Sequence, residues 1–95
     1  MSMKQTIIDA INAMMVIEIN YKNELRVVEP HLLGINQKGN LCLSAFQLSG
    51  GSGQSWRAYL VADIRDCWIT GNRFAAPRNG YNSNDSTMQS ILARL

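Results

Sequence analysis

No apolar run in this chain of 95 residues approaches the ~20 that a helix needs to cross a bilayer, because Asp9, Asn12, Glu18 and Asn20 interrupt its most hydrophobic part. A soluble protein with no membrane partner is expected. Asp9 and Asn12 also fall where a signal peptide would need an unbroken apolar region, so the N-terminus reads as an amphipathic helix and the location as cytoplasmic. Cysteine is scarce: Cys42 and Cys67 have no paired spacing, which excludes a disulfide framework and suits buried, reduced thiols. With the single histidine, His31, they give a Cys/His set one ligand short of a closed zinc site, so no metal is expected. Also missing are paired carboxylates at a suggestive spacing, a Gly-x-Ser-x-Gly elbow and a phosphate loop. Gly50-Gly-Ser-Gly53 lacks the Lys-Ser/Thr that would complete one. An enzyme is not expected, and no cofactor is implied.

What the chain does have is the composition of a folded domain, 46% hydrophobic and 17% charged. Its length allows one core and leaves little room for a second lobe, so residues 1–95 read as one domain. Net charge is +2, unevenly spread. Up to residue 66, Lys4, Lys22, Arg26, Lys38, Arg57 and Arg65 are cancelled by Asp9, Glu18, Glu24, Glu29, Asp63 and Asp66. Beyond it Arg73, Arg78 and Arg94 face only Asp85. That late surplus suits either a polyanion or phosphate contact or an ordinary solvated surface.

Periodicity divides the chain into short elements. Ser2-Met-Lys-Gln5 has capping-box spacing, and Ile7, Ile8, Ile11, Met14 and Met15 recur at helical intervals, predicting a helix over 3–14. From Val16 the period becomes two: Ile17, Ile19 and Tyr21 share one face of a strand, and Lys-Asn-Glu turns the chain. A second strand over 25–35 contains Pro30, which belongs at an edge, bulge or corner where no ladder donor is needed. Asn36-Gln-Lys-Gly-Asn40 is a turn and 41–48 a third strand. The glycine-rich segment 49–55 reads as a flexible loop, either a mobile rim over a site or a plain hairpin tip. Strands over 56–61 and 65–70 follow, and Gly71-Asn72 then turns the chain. Residues 75–84 are irregular and polar. Asp85 or Ser86 caps a last helix, whose stripe is Met88, Ile91, Leu92 and Leu95. The expected fold is mainly β: a small five-stranded SH3/Sm-like barrel over about 15–74, with an N-terminal helix and a C-terminal loop and helix over 75–95. An open sheet under two helices is the alternative.

These strand residues also resemble the bacterial WYL domain, an Sm-like SH3 barrel, here in a stand-alone form. The likeness runs through Ile17-Glu-Ile-Asn-Tyr21, Arg26-Val-Val-Glu-Pro-His-Leu-Leu33, Leu41-Cys-Leu-Ser-Ala-Phe46 and Arg57-Ala-Tyr-Leu-Val-Ala-Asp-Ile64, and ends at Phe74. It implies a ligand-sensing or nucleic-acid-binding module of the kind found with transcription regulators or phage-defence proteins. The chain departs from that pattern where Leu41 and Cys42 replace Trp and Tyr, and where Asp63 replaces a basic residue before Ile64.

The resemblance places Arg26 and Arg57 at ligand-facing basic positions. A guanidinium fork suits phosphate oxygens or a base edge, and the competing reading is an ion pair with Glu24, Glu29 or Asp66. Tyr59 and Tyr21 are in phase with apolar neighbours and read as core, with base stacking as the alternative. His31 stands at the Pro30 corner, either as a structural hydrogen-bond partner or as a phosphate donor. Arg73, Arg78 and Tyr81 border the irregular segment, where cations beside an aromatic ring suit a nucleic-acid or nucleotide contact; the alternative is that Arg78-Asn-Gly-Tyr81 pins the final helix to the barrel. Trp56 and Trp68 read as core or barrel-closing residues. The expected partner is single-stranded nucleic acid or a nucleotide. The rival expectation is assembly, either as a homo-oligomer or with a regulator protein.

Overall fold

The computed structural model describes residues 2–95. It is mainly β, with one helix and a six-stranded antiparallel sheet. Helix α1 (Met3–Ala13) begins where the Ser2 hydroxyl accepts the Gln5 N–H at 3.1 Å and ends at Met14 in the left-handed conformation. Its buried stripe, Ile7, Ala10 and Ile11, is the apolar half of an amphipathic helix. No helix among the described residues is long and apolar enough to cross a membrane.

Strands β1 (Met15–Tyr21) and β2 (Glu24–Asn36) form a hairpin closed by Lys22 and Asn23, both with positive φ. Two such residues make a tight turn whose twist matches the strands, which places Glu24 opposite Tyr21. β3 (Leu41–Ser49) and β4 (Ser55–Leu60) follow; a 3-10 turn, Val61–Asp63, leads into β5 (Ile64–Arg73), and β6 (Met88–Arg94) ends the chain. The order across the sheet is β4-β3-β2-β1-β5. β2 is long enough to serve two neighbours on one side: its first half pairs with β1 and its second half with β6. The change of partner falls at Pro30 and His31, where the β2–β3 register also shifts. Pro30 has no N–H, so a corner here wastes no ladder donor.

Two apolar clusters flank the sheet. The main core joins α1 to Ile17, Ile19, Val28, Leu33, Leu43, Ala45, Tyr59 and Ile64. A smaller one, Leu32, Cys42 and Met88 with Leu60, Tyr81 and Ile91, lies where β6 and the preceding segment cover the sheet. Fully buried side chains of this size each contribute about 1.5–3 kcal/mol.

Four expectations are corrected. The C-terminal element is a strand, not a helix, so the sheet has six strands rather than five. Register shifts skip Gln89 and Leu92 in the β2–β6 ladder. The extra residues stretch an alternating pattern until Met88, Ile91 and Leu95 fall at helical spacing. Gly71 and Asn72 lie within β5, at an irregularity between the pairs Ile17/Ile69 and Met15/Arg73, and do not turn the chain. Val61 belongs to the 3-10 turn rather than to β4. Trp68 is not core but 43% exposed, because β5 is an edge strand and Trp68 stands opposite Glu18 on its solvent face.

Candidate functional site

Alternation along β2, β3 and β4 brings Arg26, Gln47, Arg57 and Tyr59 to the core-facing side of the sheet, at the end where the β1–β2 and β3–β4 loops lie. Arg26 is the central member. Its side chain is only 9% exposed and lies over the Tyr21 ring, with the guanidinium carbon 5.2 Å from the ring centre. Nη1 donates to Gln47 Oε1 at 3.3 Å and Nη2 to Glu24 Oε1 at 3.3 Å, while Nε is buried with no hydrogen-bond partner among the described residues. Glu24, the one carboxylate on Arg26, is itself half exposed. Burying a cation costs several kcal/mol unless it is fully paired, and this pairing is incomplete.

Gln47 joins these groups. Its Oε1 accepts the Tyr59 hydroxyl at 2.7 Å as well as Arg26 Nη1, and its Nε2 donates to the carbonyls of Gly50 and Gly53 at 2.8 and 2.7 Å. The glycine-rich segment is therefore tied down despite its composition. Gly50, Gly51 and Gly53 all have positive φ, and a Cβ at Gly51 would lie 2.9 Å from Arg26 Nη1. Only a chain without side chains packs this closely on the guanidinium. Burial raises the Tyr59 pKa above its ordinary value, and the neighbouring Arg26 and Arg57 guanidinia oppose that rise. Arg57 is half buried, and among the described residues it forms no ion pair. Lys22 adds a third cation here, with its ammonium 5.4 Å from the Tyr21 ring centre.

His31, Arg78 and Tyr81 meet elsewhere, at the bend of β2, and their polar groups are committed. His31 is fully buried and packs against Trp56, Phe74 and Tyr81 at centroid distances of 4.8, 5.3 and 5.2 Å. Its Nε2 accepts the Arg78 amide at 3.0 Å, and Nδ1 lies 2.8 Å from the Glu29 carbonyl. Burial lowers the His31 pKa; the Glu29 carbonyl and carboxylate work against this, and the Arg78 charge adds to it. The Arg78 side chain donates through Nε and Nη2 to Glu29 at 2.7 and 3.4 Å and covers the Phe46 ring. The Tyr81 hydroxyl donates to the Leu95 carbonyl, and the Trp56 indole N–H donates to the Asn79 carbonyl. This second cluster anchors residues 75–84 to the sheet. Arg73 joins neither group: it is exposed opposite Met15, about 13 Å along β1 from the Cys67/Ile19 pair that adjoins Arg26.

Of the seven predicted site residues, then, Arg26 and Tyr59 are joined through Gln47 under the glycine-rich loop, and Arg57 neighbours Tyr59 on β4. Cations and N–H donors at one strand end are suited to holding an oxyanion. Sequence reasoning passed over Gln47 and Lys22. Gln47 had a readable signal, as a polar residue in phase with Leu43 and Ala45 on a core-facing strand. A separate groove of about 630 Å³, lined by Asn36, Lys38, Leu60 and Thr87 among others, holds none of the predicted residues. It is broad, and its amide and hydroxyl groups carry no convergent charge. No family model matches the chain, and neither does any curated protein or solved structure.

Proposed function

We propose that this chain is a small ligand-binding module of the SH3/Sm-like kind, akin to the WYL domain, which takes up nucleic acid or a nucleotide-type anion at the Arg26–Arg57 end of its sheet. The role fits a component of a regulatory or phage-defence system. The order β4-β3-β2-β1-β5, with a 3-10 turn between the two edge strands, supports the fold reading. One observation carries the ligand reading: the Arg26 and Arg57 guanidinia both neighbour Tyr59, Arg26 lies beneath a glycine-rich loop, and among the described residues half-exposed Glu24 is the one carboxylate paired to either. Tyr21 and Tyr59 are buried, and Leu41 and Cys42 offer no aromatic face, so recognition rests on phosphate rather than on stacked bases.

Fluorescence anisotropy with labelled single-stranded DNA and RNA tests this. Contacts from Lys22, Arg26 and Arg57 predict a log–log salt slope of roughly −2, at ~0.7 per phosphate on single strands. Arg57→Ala should weaken binding and flatten the slope. Absence of binding at low salt, or indifference to Arg57→Ala, overturns the reading.

A second reading, assembly with another chain, draws on β5. Among the described residues this strand of ten residues pairs only with β1, and it exposes Trp68 and Ile69 by 43% and 40%. Unpaired apolar edges invite strand addition. Light scattering decides the homo-oligomer form, which a strict monomer at high concentration excludes.

A further inference from the structure

We infer that the Nε–Nη2 edge of Arg26 is an oxyanion receptor that the chain itself keeps partly occupied with Glu24, so that a ligand binds by displacing that carboxylate. The inference rests on the anion-binding reading above and specifies how its site is controlled. A guanidinium presents two parallel N–H bonds along this edge, matched to two oxygens of one carboxylate or phosphate. Here the edge is half used. Nη2 meets Glu24 Oε1 at 3.3 Å, longer than a good charge-assisted bond, and Nε has no partner among the described residues although the side chain is nine-tenths buried. A buried donor left unmade forfeits its hydrogen bond to water without replacement, a loss that a bidentate oxyanion would recover.

The surroundings fit such an exchange. Glu24 is two residues from Arg26 on the same strand face, at the first position after the β1–β2 turn, and is half exposed. It can swing into solvent without disturbing the core. Nη1 is held separately by Gln47, which fixes the plane of the guanidinium while the other edge changes partner. Gly50 and Gly51 cover the arginine with backbone alone, at positive φ. Lifting that loop breaks the Gln47 bonds to Gly50 and Gly53 but moves no apolar side chain. The ligand is thus an anion with two coplanar acceptor oxygens, either a phosphoryl group or a small carboxylate.

The test follows the Arg26 Nε–H resonance in the ¹⁵N-labelled chain during titration with inorganic phosphate, and separately with acetate, for the wild type, Glu24→Gln and Glu24→Ala. Glu18→Gln, the same charge change on the opposite sheet face, is the control. Removing the Glu24 charge should tighten the midpoint for the bound anion at least about fivefold, with the Nε–H peak shifting, while Glu18→Gln follows the wild type. The tighter of the two anions identifies phosphoryl or carboxylate as the ligand group. Equal tightening by Glu18→Gln would reduce the effect to bulk charge and overturn the inference. An unmoved Nε–H peak, while labelled DNA still binds in an Arg57-dependent way, overturns the inference and leaves the anion-binding reading standing. If no anion or oligonucleotide shifts any resonance, both fall.

Discussion

His31 accepts the backbone N–H of Arg78 at Nε2, 3.0 Å away, across 47 positions of sequence. Since Nε2 is an acceptor, the proton sits on Nδ1 and is donated to the Glu29 carbonyl. Both ring nitrogens are used, the ring is fully buried, and the neutral form is the one the structure requires.

Acid should therefore loosen this joint. Burial depresses the His31 pKa in the folded state, so the unfolded chain binds the proton more readily and stability rises with pH across the interval between the two pKa values. The contribution is complete above the unfolded value of roughly 6.5 and is lost as pH falls through the folded one. The charges facing the ring, Glu29 and Arg78, are paired with each other and partly offset. Imidazole NMR should show a midpoint below that of an exposed histidine, with the Arg78 amide exchanging faster as His31 protonates. A midpoint at or above roughly 6.5 contradicts this.

Gln47→Leu should cost about 2–4 kcal/mol in urea unfolding, because it strands the Tyr59 hydroxyl and Arg26 Nη1 together. Combined with Tyr59→Phe, the loss should be less than the sum of the single losses, since one orphaned group is then removed. Strict additivity would mean that Gln47 and Tyr59 are not coupled.

Gly34→Ala tests the docking of β6. A Cβ there would lie 2.5 Å from the Ser90 carbonyl oxygen, and backbone cannot move aside as a side-chain tip can. The expected cost is about 1–3 kcal/mol, with faster amide exchange in β6. Gly39→Ala is the comparison: it has open space and φ +81, so its cost of roughly 1 kcal/mol should come from backbone strain alone and spare β6.

Cys67 should react slowly with thiol reagents while the protein is folded. Burial pushes its pKa up to about 11, leaving on the order of one thiolate per thousand at pH 8. Labelling is expected to be about a hundredfold slower than for a free cysteine, and to accelerate in denaturant. Equal rates would place Cys67 in an open environment.

Residues that answer to local rules were legible in the sequence. The Ser2 cap, the stripe of Ile7 and Ile11, the alternation of Ile17, Ile19 and Tyr21, and the corner at Pro30 each follow from one short window. The site was half legible. Arg26 and Arg57 both neighbour Tyr59, but His31, Arg78 and Tyr81 use their polar groups in holding residues 75–84. An arginine in a polar loop looks the same in sequence whether it faces solvent or a buried carboxylate such as Glu29.

By itself the sequence determined a small, mainly β domain with an N-terminal helix and a turn within Lys22-Asn-Glu24, because helix caps, strand alternation and turn residues act within a few residues. Tertiary structure alone decided that residues 88–94 extend the sheet. The second half of β2 has an edge of N–H and C=O groups that a strand can pair and a helix cannot, and that demand overrides the helical spacing of Met88, Ile91 and Leu95. Tertiary structure also decided that Gln47 draws Arg26, Tyr59 and the glycine-rich loop into one network. Hydrogen bonds between positions 21 and 12 residues apart depend on strand register, which no local window contains.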